Sequence, residues 1–205
     1  MKRILIICII AILSLSAKAQ ERINPIWNIA GGFNMAQLDN FGFEAIAGYY
    51  PYSNQWFRVA PKLQVSYFFS PERKWLASDD KISGNLSEFR GNVLVALEFS
   101  PSIKTSFYIG LAPYVGFQTF WNKGYIYNPS TPLDEHYDYS FTKYDFGLRI
   151  ELGGYVDKNQ RHGLEGHLQF SLRPLLGENP RVHVMTISSM DYKSYIGLSY
   201  IYRIK

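Results

Sequence analysis

Residues 141–156 read FTKYDFGLRIELGGYV, and the alternation within them decides the fold. From Tyr144 onward the even positions are Tyr, Phe, Leu, Ile, Leu, Gly and Val, while the odd positions include Asp145, Arg149 and Glu151. Successive side chains of a strand point to opposite faces, so this segment has one apolar face and one charged face.

The same period of two recurs along the chain. Residues 57–69 set Phe57, Val59, Leu63, Val65, Tyr67 and Phe69 against Arg58, Lys62, Gln64 and Ser66. Residues 88–99 set Phe89, Val93, Val95, Leu97 and Phe99 against Glu88, Arg90, Asn92 and Glu98, and residues 164–173 set Leu164, Leu168, Phe170 and Leu172 against Glu165, His167, Gln169 and Arg173. Weaker versions at 26–37, 41–50, 105–121 and 192–204 bring the number of predicted strands to eight. Most are near or above the roughly 9 to 11 residues that a tilted strand needs to cross a bilayer. No segment after the N-terminal apolar run has a helical period.

The connections give a second signal. In order they are LDN, PYSN, residues 70–86, SPSIK, residues 122–140, DKNQRH and residues 174–190. After a first tight hairpin, long and short connections alternate, as they do where short periplasmic turns face longer extracellular loops. A soluble eight-stranded barrel would turn its apolar face inward and would not need this alternation.

The expected fold is therefore all-β, an eight-stranded antiparallel up-and-down transmembrane β-barrel, closed because an open sheet edge is not tolerated in hydrocarbon. Tyr144, Phe146, Leu148, Ile150 and Leu152 face lipid in this reading. Aromatic residues make up 17% of the chain, more than a compact soluble domain requires, and interfacial girdles account for the excess. Tyr49, Trp56, Phe57 and Phe99 are expected near the periplasmic rim, and Phe69, Phe89, Trp121, Phe141 and Tyr144 near the outer one. Pro61 and Pro113 fall inside strands, where a missing N–H marks a bulge or bend.

The N-terminus indicates the compartment. Lys2 and Arg3 precede the apolar run ILIICIIAILSLS, and Ala17 and Ala19 supply the small-x-small pattern of a cleavage site. Residues 1–19 are read as a cleaved signal peptide and residues 20–205 as one outer-membrane barrel domain. The single cysteine, Cys8, leaves with the signal, so the mature chain has neither a disulfide nor a thiol nucleophile. Lys2, Arg3 and Lys18 leave too; 21 basic residues minus 3 gives 18, against 17 acidic ones, so nothing argues for a nucleic-acid partner.

Several stretches resemble small outer-membrane β-barrels of the PorT-like and OmpA/OmpX types. They are WNIAGGFNMAQL at the first strand, FYIGLAPYVGF at 107–117, YDFGLRIELGGYV at 144–156 and the closing YIGLSYIYR. The resemblance spans the mature chain and implies fold and location. It brings no shared enzymatic chemistry, no catalytic residues, no metal and no cofactor. The partners it implies are outer-membrane lipid, the barrel-insertion machinery, and proteins of an envelope or secretion complex.

Within the barrel, Arg58, Lys62, Arg90, Glu98, Asp145, Arg149, Glu151, Glu165, His167 and Arg173 are expected to form an interior polar network. Charges removed from water must be paired, so a salt-bridged plug is favoured over a conducting pore. The sixth and seventh strands, folded about DKNQRH, place Glu151 level with His167. His167, Gln169 and Ser171 share the interior face, which is badly placed for an enzyme acting on lipid A. His136, His162 and His183 lack metal spacing. Tyr125, Tyr127, Tyr137 and Tyr139 are candidate contact residues in the fifth connection, unless they continue the strands as a protruding hairpin. The functional expectation is a non-catalytic structural or interaction role. A narrow channel is the alternative and a lipid A-modifying barrel enzyme the third reading.

Overall fold

The computed structural model describes residues 26–36, 40–53, 57–69, 73–77, 80–100, 107–128, 131–172, 181–182, 185–186 and 194–204. Eight long strands form the barrel: β1 (Ile26–Ala36), β2 (Asn40–Tyr50), β3 (Phe57–Phe69), β4 (Asp80–Phe99), β5 (Phe107–Asn128), β6 (Thr131–Tyr155), β7 (His162–Ser171) and β8 (Ser194–Ile204). Each pairs antiparallel with its sequence neighbour, and β1 pairs with β8 over Trp27↔Ile204 to Met35↔Ile196, so the sheet closes on itself. Among the described residues there is no helix, and the crossing elements are strands. Closure leaves no unpaired edge within the barrel wall, as hydrocarbon demands.

The packing is inverted relative to a water-soluble domain. Glu44, Lys62, Arg90, Glu98, Arg149, Glu151 and Glu165 are buried, while Phe33, Leu63, Val93, Val115, Leu152 and Leu198 are exposed around the outside. An apolar belt of this extent on a wall with a charged interior is stable only in an apolar solvent. Aromatic pairs sit toward the two ends of the wall. Trp27 and Tyr49 (4.8 Å) and Phe57 and Phe99 (5.0 Å) pair at the end that carries the 157–161 turn. Phe33, Phe43 and Phe69 form a ladder at the other end, with centroids 5.2 and 6.0 Å apart, and Phe89 meets Phe117 at 5.9 Å. Trp56 and the Phe141 side chain lie outside the described residues.

Two connections expected as loops are largely strand. β4 begins at Asp80 rather than near 88, and Arg73–Ala77 pairs back onto it. β5 and β6 run on to Asn128 and from Thr131, with Lys81↔Tyr127 and Ile126↔Glu135 in register. Residues 73–77, 80–86, 122–128 and 131–140 therefore contribute to a sheet that rises beyond the membrane wall. The exposed Lys123–Asp138 ion pair, at 2.7 Å, marks it as solvated.

Both strand prolines lie where a ladder is interrupted. Tyr52–Ser53 pairs with Val59 and Arg58 one residue out of register with the Gly48↔Lys62 pair above it, and Pro61 lies opposite that slip. Between β4 and β5 the ladder passes from Leu94↔Tyr114 to Leu97↔Leu111, and Pro113 lies in the gap. A missing N–H is tolerated at such points.

Leu63 stands midway along β3 and is 62% exposed on the outer face. Leu63→Arg is expected to destabilise the barrel by about 2–4 kcal/mol, the range for a cation at the bilayer midplane. Urea titration of folding into lipid vesicles measures it. A change no larger than that of a solvent-exposed substitution would place this face in water.

Candidate functional site

The inward residues of all eight strands meet in a layered polar core. At its centre is Arg149 of β6. Its Nη1 and Nη2 donate to the two oxygens of Glu44 at 3.0 and 3.2 Å. Its Nε donates to Glu151 at 3.0 Å, and Nη2 also reaches Glu165 at 2.7 Å. The planar guanidinium fork grips Glu44 in a bidentate pair and still reaches two further carboxylates, a geometry that a lysine's point charge does not reproduce. Lys62 of β3 lies beside it, 2.7 Å from Glu151, 3.1 Å from Glu98 and 3.7 Å from Glu165.

Hydroxyls and amides complete the shell. Tyr50 donates to Glu98 and Tyr108 to Glu165, both at 2.6 Å. Ser199, Gln64 and Asn34 donate to Glu44 at 2.5, 2.9 and 3.3 Å. His167 Nε2 lies 3.0 Å from Asn34 Oδ1, and its Nδ1 lies 3.4 Å from Glu44. This one layer ties together residues from all eight strands.

Above it, Asp145 accepts hydrogen bonds from Tyr114 (2.9 Å), Gln118 (2.8 Å) and Ser171 (2.5 Å). Arg90 is paired with Glu88 and stacks between Phe68 and Tyr195, with its guanidinium carbon 5.3 and 5.1 Å from the ring centroids. Lys143 caps this region over Phe120 at 5.0 Å. Below the central layer, Arg203 lies over Tyr155 at 4.0 Å, and Asn28 donates to the Tyr155 hydroxyl at 3.0 Å.

Glycines opposite the large side chains make this packing possible. Tyr108 is in register with Gly153, Tyr114 with Gly147 and His167 with Gly197. A β-carbon at any of the three would collide with the facing ring, so the rings lie across the glycine backbones to reach their partners.

Of the residues expected to form an interior network, Lys62, Arg90, Glu98, Asp145, Arg149, Glu151, Glu165 and His167 are buried in the lumen. Arg58 is only partly buried, at the lower end. Arg173 and the Tyr125, Tyr127, Tyr137 and Tyr139 side chains lie outside the described residues. Sequence reasoning missed Glu44, Asn34, Ser199 and the buried tyrosines, and it placed Gln64 on the polar face of its strand without assigning it to the network. Glu44 had a signal: it is the sole charge in β2, NFGFEAIAGYY.

Glu151 and His167 are opposite in the ladder, yet their side chains turn to different partners. His167, Gln169 and Ser171 do not converge. Gln169 accepts from Tyr195 at 2.7 Å, and Ser171 donates to Asp145, so no serine–histidine pair forms. Among the described residues no cluster of His, Cys, Asp or Glu fits a metal ion. A cavity beside Lys62, Glu165, Asn28 and Tyr50 measures about 10 Å³, room for one water.

The β6–β7 turn is built around Asp157. Its Oδ1 accepts the backbone N–H groups of Arg161 and His162, each at 2.7 Å, and Gln160 closes the turn with φ of 52°. Those N–H groups, His162's first, hold the exposed Asp157 carboxyl below its ordinary range. A carboxylate lowered by folding stabilises the turn above its unfolded pKa, and the effect is lost as pH falls through the folded value. Protection of the Arg161 and His162 amides from hydrogen exchange is expected to decline on acidification, and to be absent at neutral pH in Asp157→Ala. Protection unchanged in that variant would remove Asp157 from the turn's support.

The class defined by a closed eight-stranded wall, an apolar outer belt and a charged, packed interior is a small integral outer-membrane barrel. No family model matches the chain, and no curated protein matches it. Among solved structures, a major outer membrane protein from Thermus thermophilus is similar with a TM-score of 0.50 and 11% identity, over 89% of this chain and 100% of that one. Ail, the attachment invasion locus protein of Yersinia pestis, aligns at 0.44 and 12% over the same shares. The N-terminal barrel domain of Pseudomonas aeruginosa OprF aligns at 0.37 and 14%, over 88% of this chain and 98% of that domain. At these identities the likeness is one of fold.

Arg149→Met leaves Glu44, Glu151 and Glu165 without their shared guanidinium. A loss of at least about 3–5 kcal/mol is expected, the penalty for a buried charge stripped of its partner. Arg149→Met combined with Glu44→Met is expected to recover part of that loss. Urea midpoints read as a double-mutant cycle measure the coupling, and additive effects would mean that the pair is not coupled.

Proposed function

We propose that this protein is a non-catalytic interaction protein of the outer membrane, in which the barrel is an anchor and the sheet of β4, β5 and β6 beyond the wall is the contact surface. The observation behind this reading is the contrast between the two ends of the same strands. Inside the wall they close around a packed, ion-paired lumen. Past it, β5 and β6 continue as a paired hairpin to Asn128 and Thr131. A conductive barrel needs open lumenal space, and strands that only hold an anchor need not extend into water. Tyr125, Tyr127, Tyr137 and Tyr139 lie on strands that continue as this hairpin, the plainer of their two sequence readings, and in this proposal the hairpin they extend also presents them for protein contact.

In this reading the partners are proteins of an envelope or secretion assembly, consistent with the PorT-like resemblance. Residues 1–19 serve as the export signal and are removed. The barrel reaches its place through the insertion machinery and is surrounded by outer-membrane lipid.

The test pairs two measurements on the mature chain. In planar bilayers the protein is expected to give no unitary conductance steps. In cells, crosslinking is expected to capture an envelope protein, and replacing the four tyrosines by serine is expected to abolish capture while the boiling-dependent gel shift of a folded barrel persists. Discrete conductance steps, with capture unaffected by the replacements, would support the narrow channel instead.

A further inference from the structure

The outer face of β4, β5 and β6 changes character as the strands leave the wall. Val93, Val115 and Phe146 are in register across the three strands, and Gly91, Phe117 and Tyr144 form the next row up. The large side chains of both rows are exposed and belong to the apolar belt. The following rows on the same face, each about 7 Å further along the strands, are of another kind. Thr119 and Thr142 are in register beside Phe89, with their hydroxyls 2.9 Å apart. Then comes Trp121, flanked in register by Ser87 and Ser140. Above it the exposed Lys123–Asp138 ion pair closes the patch.

Thr119, Trp121 and Lys123 share the parity of Phe117, so alternation keeps them on the lipid side of the sheet. They form one continuous surface with the belt below, and a tryptophan just above an apolar belt marks the headgroup level of a bilayer. What lies against this surface is therefore the headgroup of a molecule whose acyl chains cover the belt. The strands leave the wall on the side away from the short 157–161 turn, which is the extracellular side of such barrels.

The side chains select among headgroups. Recognition of a phosphate calls for surplus cations, and among the described residues of this face Lys123 is matched by Asp138 at 2.7 Å. An indole offers a flat apolar surface, and the hydroxyls of Ser87, Thr119, Ser140 and Thr142 around it both donate and accept. A sugar ring has the same two-sided make-up, with C–H groups on its faces and hydroxyls at its rim.

We propose that the lipid-side face of β4, β5 and β6 around Trp121 binds the sugar headgroup of an outer-leaflet glycolipid. Trp121 stacks on a sugar ring, while Ser87, Ser140 and the Thr119–Thr142 pair hydrogen-bond its hydroxyls. The rows of Phe117 and Val115 hold the acyl chains. The site does not use the tyrosines assigned above to protein contact.

The test uses the refolded mature chain in a polyoxyethylene detergent, which carries no sugar. Rough-type lipopolysaccharide is the probe and phosphatidylglycerol the comparator, and native mass spectrometry counts the lipid retained. The parent is expected to retain the glycolipid saturably and in preference to the phospholipid. Trp121→Leu keeps an apolar side chain but loses the ring, and about a tenfold loss of glycolipid affinity is expected. Thr142→Val keeps the shape and removes only a hydroxyl, for an expected loss of about fivefold. Phosphatidylglycerol retention is expected to stay at the parent's level in both variants. Both positions are exposed, so the boiling-dependent gel shift of a folded barrel is expected to persist, and Thr142→Val carries the result if Trp121→Leu does not fold. Equal retention of the two lipids by the parent, or glycolipid retention in Thr142→Val equal to the parent's, overturns the proposal. A loss in Trp121→Leu that falls equally on both lipids overturns it as well, since it marks Trp121 as an interfacial anchor without preference for sugar.

Discussion

Every feature of this barrel follows from one constraint: in hydrocarbon, a polar group has no water to fall back on. Backbone groups meet it through closure, with β1 paired to β8. Side chains meet it by turning inward, where the alternation of each strand delivers them in numbers too large to leave unpaired. The result is a core in which Arg149 and Lys62 take the place that aliphatic packing has in a soluble domain. Such a core is more specific than a greasy one, because each guanidinium donor must find its acceptor at a set distance and angle.

Among the described residues the interior charges balance as a whole yet are separated in height. The central layer holds Glu44, Glu98, Glu151 and Glu165 around only Arg149 and Lys62. The upper layer matches Arg90 and Lys143 with Glu88 and Asp145. The two cations that make up the difference, Arg58 and Arg203, stand at the lower mouth rather than in the layer that lacks them. In a medium of low dielectric this separation sets up a field along the barrel axis, with its positive end toward the 157–161 turn.

The period of two was legible because the two faces of each strand meet different surroundings, lipid outside and charge within. That is why Tyr144 to Val156 and Phe57 to Phe69 could be placed from sequence. The same reason explains the failure at 80–87 and 122–140. Beyond the wall, where the Lys123–Asp138 pair is solvated, the alternating pattern stops although the pairing does not. Loop-like composition there reflected solvent rather than backbone.

Partner choice inside the lumen was illegible for a different reason. Arg149 and Glu44 are 105 residues apart, and whether they meet depends on the accumulated stagger of every strand between them. Alternation tells which residues point inward, but the height of each depends on register around the whole circuit. The glycines of β6 and β8 sharpen the point. Gly147, Gly153 and Gly197 read as ordinary small residues of a barrel strand, yet each lies across from a ring that must pass over it to reach Asp145, Glu165 or Asn34. Register therefore selects not only the ion pairs but also the places where a side chain must be missing, and the network and the glycines are two consequences of one closed alignment.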